Sequence, residues 1–298
     1  MNETIKQHFV PRTYLKNFGY KKQDDTYVRV VGKDASDDKI FETNILKICA
    51  ENHLYTLSGS IDERQTLERI YSIAFENDYN SIYSILSDDN ISSISLEQKK
   101  FIISTVITMF FRTKKWLSEF NKFTDESTNR LYGMCKQYNK ESYIETNNER
   151  ISITGLTLSE LQKRRRNDNR IPIVLTQLEF ALKLIEAKQN DNINVFKING
   201  HGEFITSDNP VLAKNINNEF TVPFDINNAY YLPINNKYLV SIFPNECHTT
   251  LNKIIRININ GEQAANFNLW QTNNSERFII GSKNGLQETK NNQNDKIA

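Results

Sequence analysis

Cysteine is scarce and scattered. The chain of 298 residues holds three, Cys49, Cys135 and Cys247, an odd number with no C-x-x-C spacing. That excludes a disulfide framework and a thiolate metal site, and it points to a reducing compartment. Neither charge sign dominates: 37 Lys and Arg against 36 Asp and Glu leave a net charge of +1. No global field therefore draws the chain to DNA or to an anionic membrane. No stretch approaches the roughly 18 consecutive apolar residues of a membrane span. The opening MNETIKQHFV lacks the apolar centre of a signal peptide. A cytoplasmic protein without a membrane anchor is the expectation. Phosphate-binding G-x-x-x-x-G-K-[ST], dinucleotide-binding G-x-G-x-x-G and nucleophile-elbow G-x-S-x-G motifs are missing. The four histidines show no metal-ligand spacing, so no metal and no cofactor is implied.

Aromatic residues are present in quantity, 17 Phe and 13 Tyr, enough to build a core. Residues 1–58 read as a clasp of strands and loops, with TYVRVV (26–31) alternating as a strand does. Residues 60–190 read as helical. Ser60 with Glu63, Ser95 with Gln98 and Thr157 with Glu160 have capping-box spacing, which ties off the free amides of a helix start. FIISTVITMFF (101–111) is apolar nearly all round and predicts a buried central helix. Pro172 should break or kink the last helix of this region. Residues 193–285 read as β-rich: INVFKI-NGHG-EFITS as a hairpin, then short strands at FTVPF, AYYLPI, KYLVSIF, KIIRINI and RFIIGS, with a helix at GEQAANFNLWQTN. Residues 286–298 are polar and are expected to be disordered. The fold class is α+β, a single domain over 1–285 whose helical middle packs on a mostly antiparallel sheet.

Chemistry gathers at a few motifs. In QHFVPRTYLKNFGY (7–20), Pro11 fixes its own backbone and biases Val10 toward extended geometry, which sets the reach of His8 and Arg12. The aromatics around them can anchor the segment. One reading is a structural clasp, and the other is an imidazole poised for proton transfer beside a phosphate-binding cation. Arg112 closes the apolar helix, so its charge needs a partner, and Glu68 and Glu76 lie along the edge of the preceding apolar stripe. Ser207, Asp208 and Asn209 follow a strand in TSDNPV, a natural turn that can also face a cleft. The run KRRRNDNR (163–170) reads as a solvated helix face or a nucleic-acid patch.

These residues carry a resemblance. QHFVPRTYLKNF resembles the signature opening of a bacterial family, domain-of-unknown-function family 4238. HLYTL (53–57), Glu68 and Glu76, FFRT (110–113) and FITSDNPV (204–211) are similar to its later elements, in order, across residues 7 to about 282. Residues 113–170 match nothing in its pattern. The resemblance implies a domain extent and a set of important residues, and no activity.

The residues support two functional readings. In the first, His8 and Asp208 are acid–base catalyst and orienter, while Arg12, Arg112, Ser207, Asn209, Glu68 and Glu76 bind a phosphate-containing ligand. That describes a metal-independent nuclease or a phosphate-processing enzyme, with nucleic acid or a nucleotide as partner and a role in defence or stress. In the second, the same residues belong to a non-catalytic module that senses a nucleotide or a protein.

Overall fold

The fold is seen in a computed structural model that describes residues 5–33, 39–57, 59–76, 78–146, 149–217, 221, 224–245 and 252–297. In chain order, the clasp contains β1 (Lys6–His8), α1 (Arg12–Leu15), β2 (Tyr20–Lys22), β3 (Asp25–Gly32), β4 (Phe41–Asn44) and β5 (Ala50–Asn52). The helical region follows with α2 (Ile61–Arg64), α3 (Thr66–Tyr71), a π-helical turn (Ser72–Glu76), α4 (Tyr79–Ser87), α5 (Leu96–Arg112) and α6 (Lys114–Gln137). A hairpin of β6 (Tyr143–Thr146) and β7 (Glu149–Ser152) precedes α7 (Leu158–Lys188). The last third holds β8 (Asn192–Ile198), β9 (Thr206–Ser207), β10 (Leu212–Asn215), β11 (Asn228–Pro233), β12 (Tyr238–Phe243) and β13 (Ile254–Ile259). It closes with α8 (Gly261–Asn274), β14 (Phe278–Gly281) and α9 (Lys283–Ile297). The architecture is α+β, as expected.

Local signals set the helix starts. The boxes at Ser60, Ser95 and Thr157 all form, each with both reciprocal bonds. A fourth, Asn260 with Gln263, opens α8. Helix α5 is buried on most sides and packs along α7 and against β11. One sheet runs β10-β11-β12-β8-β13, antiparallel except for the parallel β8–β13 pair. Two small pairs stand beside it, β1 with β5 and β6 with β7. A second five-stranded sheet runs β2-β3-β14-β9, with β4 also on β3. It therefore joins the two ends of the chain: β3 from the clasp lies beside β14 from the C-terminal third.

Three expectations need correction. The hairpin at NGHG does not form. Strand β8 has β12 on one edge and β13 on the other, so no edge is left for the chain after the turn. Gly200 and Gly202, at φ +84° and +103°, instead redirect it into the second five-stranded sheet as β9. Pro172 does not end its helix, because α7 runs on through it. The proline costs about 3 kcal/mol, offset by burial of Ile173 and Val174 just beyond it. Residues 286–297 are helical. Leu286 packs with Val31, Ile205 and Ile279, and one anchoring leucine holds an otherwise polar segment. The strand expected at FTVPF lies mostly outside the described residues, as do Cys247 and His248.

The opening segment is at the centre of the molecule. Phe9, Val10, Tyr14 and Leu15 are fully buried in a core that also takes residues from α5, α7 and the β8-containing sheet. The Tyr14 hydroxyl hydrogen-bonds to Thr206 Oγ1 at 2.5 Å and donates to the Pro233 carbonyl at 2.8 Å. A chain end that would otherwise fray is bolted to residues about two hundred positions away.

Candidate functional site

Arg112 organises the motif residues. It ends α5 with its side chain only 2% exposed. Nη1 donates to Glu76 Oε1 at 2.5 Å, Nη2 to the His8 carbonyl at 2.6 Å, and Nε to the Tyr55 hydroxyl at 3.4 Å. The guanidinium also lies 4.5 Å from the centroid of the Tyr71 ring and 5.5 Å from that of Tyr55. A delocalised, weakly hydrated cation suits such a place, because its fork fills several acceptors and its face meets the rings. The neighbouring π turn ends at Glu76, which supplies the countercharge. Glu68, from α3, has a buried oxygen without a hydrogen bond. Burial raises its pKa, opposed by the positive charge of Arg112.

Thr113, the next residue, extends the network into the last third of the chain. Its hydroxyl donates to Asn209 Oδ1 at 2.8 Å. Asn209 Nδ2 donates to the Asn274 carbonyl at 3.0 Å, and the Asn209 carbonyl accepts from Gln271 Nε2 at 2.9 Å and Asn274 Nδ2 at 3.0 Å. Ser207 Oγ accepts from Gln271 Nε2 at 2.5 Å and from the Asn209 amide at 3.0 Å. Asp208 turns the other way. Its two oxygens accept the backbone amides of Glu276 and Arg277, each at 2.9 Å. Burial raises the pKa of its carboxyl despite those bonds.

His8 and Arg12 have different surroundings. His8 Nε2 donates to the Ile45 carbonyl at 3.1 Å, which assigns the tautomer and leaves Nδ1 as the acceptor. Burial lowers the pKa of this imidazole to about 4, aided by the charges of Arg12, Arg112 and Lys6 and opposed by the Ile45 bond. Arg12 is exposed at the start of α1. Among the described residues, no hydrogen bond joins Asp208 to His8, Arg12 or Arg112.

Thus His8, Glu68, Glu76 and Arg112 come together, and Ser207 and Asn209 join them through Thr113. Asp208 is held apart. The contact that His8 offers Arg112 is its backbone carbonyl, which no side-chain argument finds. Tyr55 and Thr113 lay inside quoted motifs, in HLYTL and FFRT, without being singled out. Tyr71, Gln271 and Asn274 carried no local signal. Beside Arg112 lies a cavity of about 10 Å³ lined by Pro11, Thr13, Glu76, Tyr79, Thr105, Thr108 and Met109. The hydroxyls of Thr13, Thr105 and Thr108 have no partner in the protein. The space suits about one water and is too small for a phosphate group.

The basic run is also engaged. Arg164 pairs with Glu149, Arg166 with Asp125 at 2.9 Å, and Arg165 donates to Thr128 Oγ1 at 2.8 Å. Arg170 donates to the His53 carbonyl. These arginines tie α7 to α6, β7 and the clasp. Among the described residues, no three His, Cys, Asp or Glu side chains are placed to hold a metal, and no helix is long and apolar enough to cross a membrane.

The low pKa of His8 has a measurable consequence. Between pH 6.5 and about 4 the unfolded chain binds a proton at this position that the folded chain does not. Its contribution to stability is therefore intact above pH 6.5 and declines as the pH falls toward 4. His8→Gln should flatten that part of a stability-against-pH curve measured by urea unfolding. An unchanged slope would show that His8 titrates normally.

The motif residues therefore define an α+β protein built around one buried arginine, with its two chain ends sharing a sheet. Residues 6–285 match the family described as "Protein of unknown function (DUF4238)", and the chain belongs to that family. No curated protein and no solved structure matches it.

Proposed function

We propose that this chain is a non-catalytic binding module for a small nucleotide-like ligand, with the family motifs serving as the interlock of its fold. One observation carries the reading: the side chains of Arg112 and Asp208, central to phosphate binding and catalysis in the other reading, are already engaged within the protein. Each of the three nitrogens of Arg112 donates to a protein oxygen, and both Asp208 oxygens hold backbone amides. A guanidinium 2% exposed would have to give up a buried ion pair to meet a phosphate.

The catalytic reading keeps one point in its favour. His8 is a half-buried neutral imidazole with Nδ1 free, and an exposed arginine, Arg12, acts on it electrostatically. That is the cast of a base beside a phosphate-binding cation in metal-independent RNA cleavage.

Turnover separates the two. Single-stranded RNA and DNA are incubated with purified wild type and His8→Ala in the presence of a chelator. Equal, background cleavage by both is the expected result. Cleavage by wild type that His8→Ala abolishes, at an unchanged melting temperature, would overturn the binding-module reading.

A further inference from the structure

The sheet that holds β8 has two faces. Tyr230, Leu232, Val240, Ile242, Ile193 and Val195 point into the main core. The opposite face meets α8 and Phe204 along part of its area, and a cavity of about 520 Å³ opens there. That size falls within the range of small-molecule sites. The walls are aromatic: Phe196, Tyr231 and Phe243 from the strands, Phe267 and Trp270 from α8. Tyr231 and Phe267 lie 5.4 Å apart and Phe267 and Trp270 5.3 Å apart, so the rings brace one another. Such a lining offers flat π surfaces to a flat ligand.

Two further observations give the site polarity. Lys214 lines it with its ammonium 4.3 Å from the Trp270 ring centroid. No carboxylate among the described residues pairs with this lysine. The stacking holds a positive charge at the rim, ready for an anion. Asn266, exposed on α8, lines the same cavity and adds a side-chain amide to its edge.

Resting on the binding-module reading, we infer that this cavity is the ligand site and that it takes a nucleoside monophosphate. The base stacks among Tyr231, Phe267 and Trp270. Polar atoms on its edge meet the Asn266 amide, and the phosphate pairs with Lys214. The base supplies the flat apolar area, and the phosphate supplies the missing countercharge.

Isothermal titration of the full chain with AMP, GMP, CMP and UMP tests this, alongside the parent nucleosides and inorganic phosphate. At least one monophosphate should bind one to one, about tenfold or more tighter than its nucleoside, the factor expected for a charge-assisted bond. Inorganic phosphate should bind more weakly still. Lys214→Ala should weaken the monophosphate to the nucleoside level without lowering the melting temperature, since Lys214 is exposed. Asn266→Ala, which removes one side-chain amide from the cavity lining, should change the preference among bases. Failure of all four monophosphates to bind overturns the site, as does binding indifferent to Lys214→Ala. Neither result touches the question of catalysis, which the His8→Ala turnover assay decides alone.

Discussion

Arg112→Ala should cost about 4 kcal/mol of folding stability, the loss typical of breaking a buried ion pair from one side. Three effects combine. Glu76, only 22% exposed, loses its countercharge. The His8 carbonyl and the Tyr55 hydroxyl lose a donor. Tyr71 loses the cation on its face. A domain of ordinary stability, roughly 5–15 kcal/mol, would survive weakened or hardly at all. Arg112→Lys guards against a variant too unstable to measure. It keeps the charge, but a single ammonium cannot reach Glu76 and the His8 carbonyl while also lying flat against Tyr71. Its loss should fall between wild type and Arg112→Ala. Urea unfolding of all three proteins gives the order. If Arg112→Ala unfolds within about 1 kcal/mol of wild type, the arginine is not the structural hub described above, and a ligand role for it regains its force.

Asn209→Ala comes next, with an expected loss of about 3 kcal/mol. The residue is 2% exposed and its amide serves two partners, the buried Thr113 hydroxyl and the half-buried Asn274 carbonyl. Each orphaned group costs about 1–3 kcal/mol. A double-mutant cycle makes the claim specific. Thr113→Val removes the hydroxyl that Asn209→Ala would strand, so the double variant should be more stable than the two single losses predict, by about 1 kcal/mol. Strict additivity would mean that the Thr113–Asn209 bond does not link the end of α5 to the turn that follows β9 in the way the geometry indicates. Since the same bond joins the FFRT and SDNP motifs, its loss should also reduce the cooperativity of unfolding between the helical region and the sheets.

Legibility in the sequence followed the range of each interaction. The capping boxes at Ser60, Ser95 and Thr157 were readable because a cap is made between residues three apart. The strands at 26–31, 228–233, 238–243 and 254–259 were readable because alternation is local. Their partners were not. That β8 would sit between β12 and β13, and so deny the NGHG hairpin an edge, depends on strands more than 40 residues further along. A helix that runs through Pro172 and a polar tail docked by Leu286 show tertiary packing overriding propensity.

The candidate site divides the same way. Composition alone determined a chain with little net charge and few cysteines, and the motif residues alone marked Arg112 as a cation in need of a partner. Of the two acids proposed, Glu76 makes the direct contact. Only the tertiary structure decided that the guanidinium would also take the backbone carbonyl of His8, and that Asp208 would hold the amides of Glu276 and Arg277. The physical reason is that a buried charge or carbonyl is satisfied by whatever donor or acceptor folding brings within about 3 Å, and backbone atoms, identical at every residue, leave no mark in the sequence.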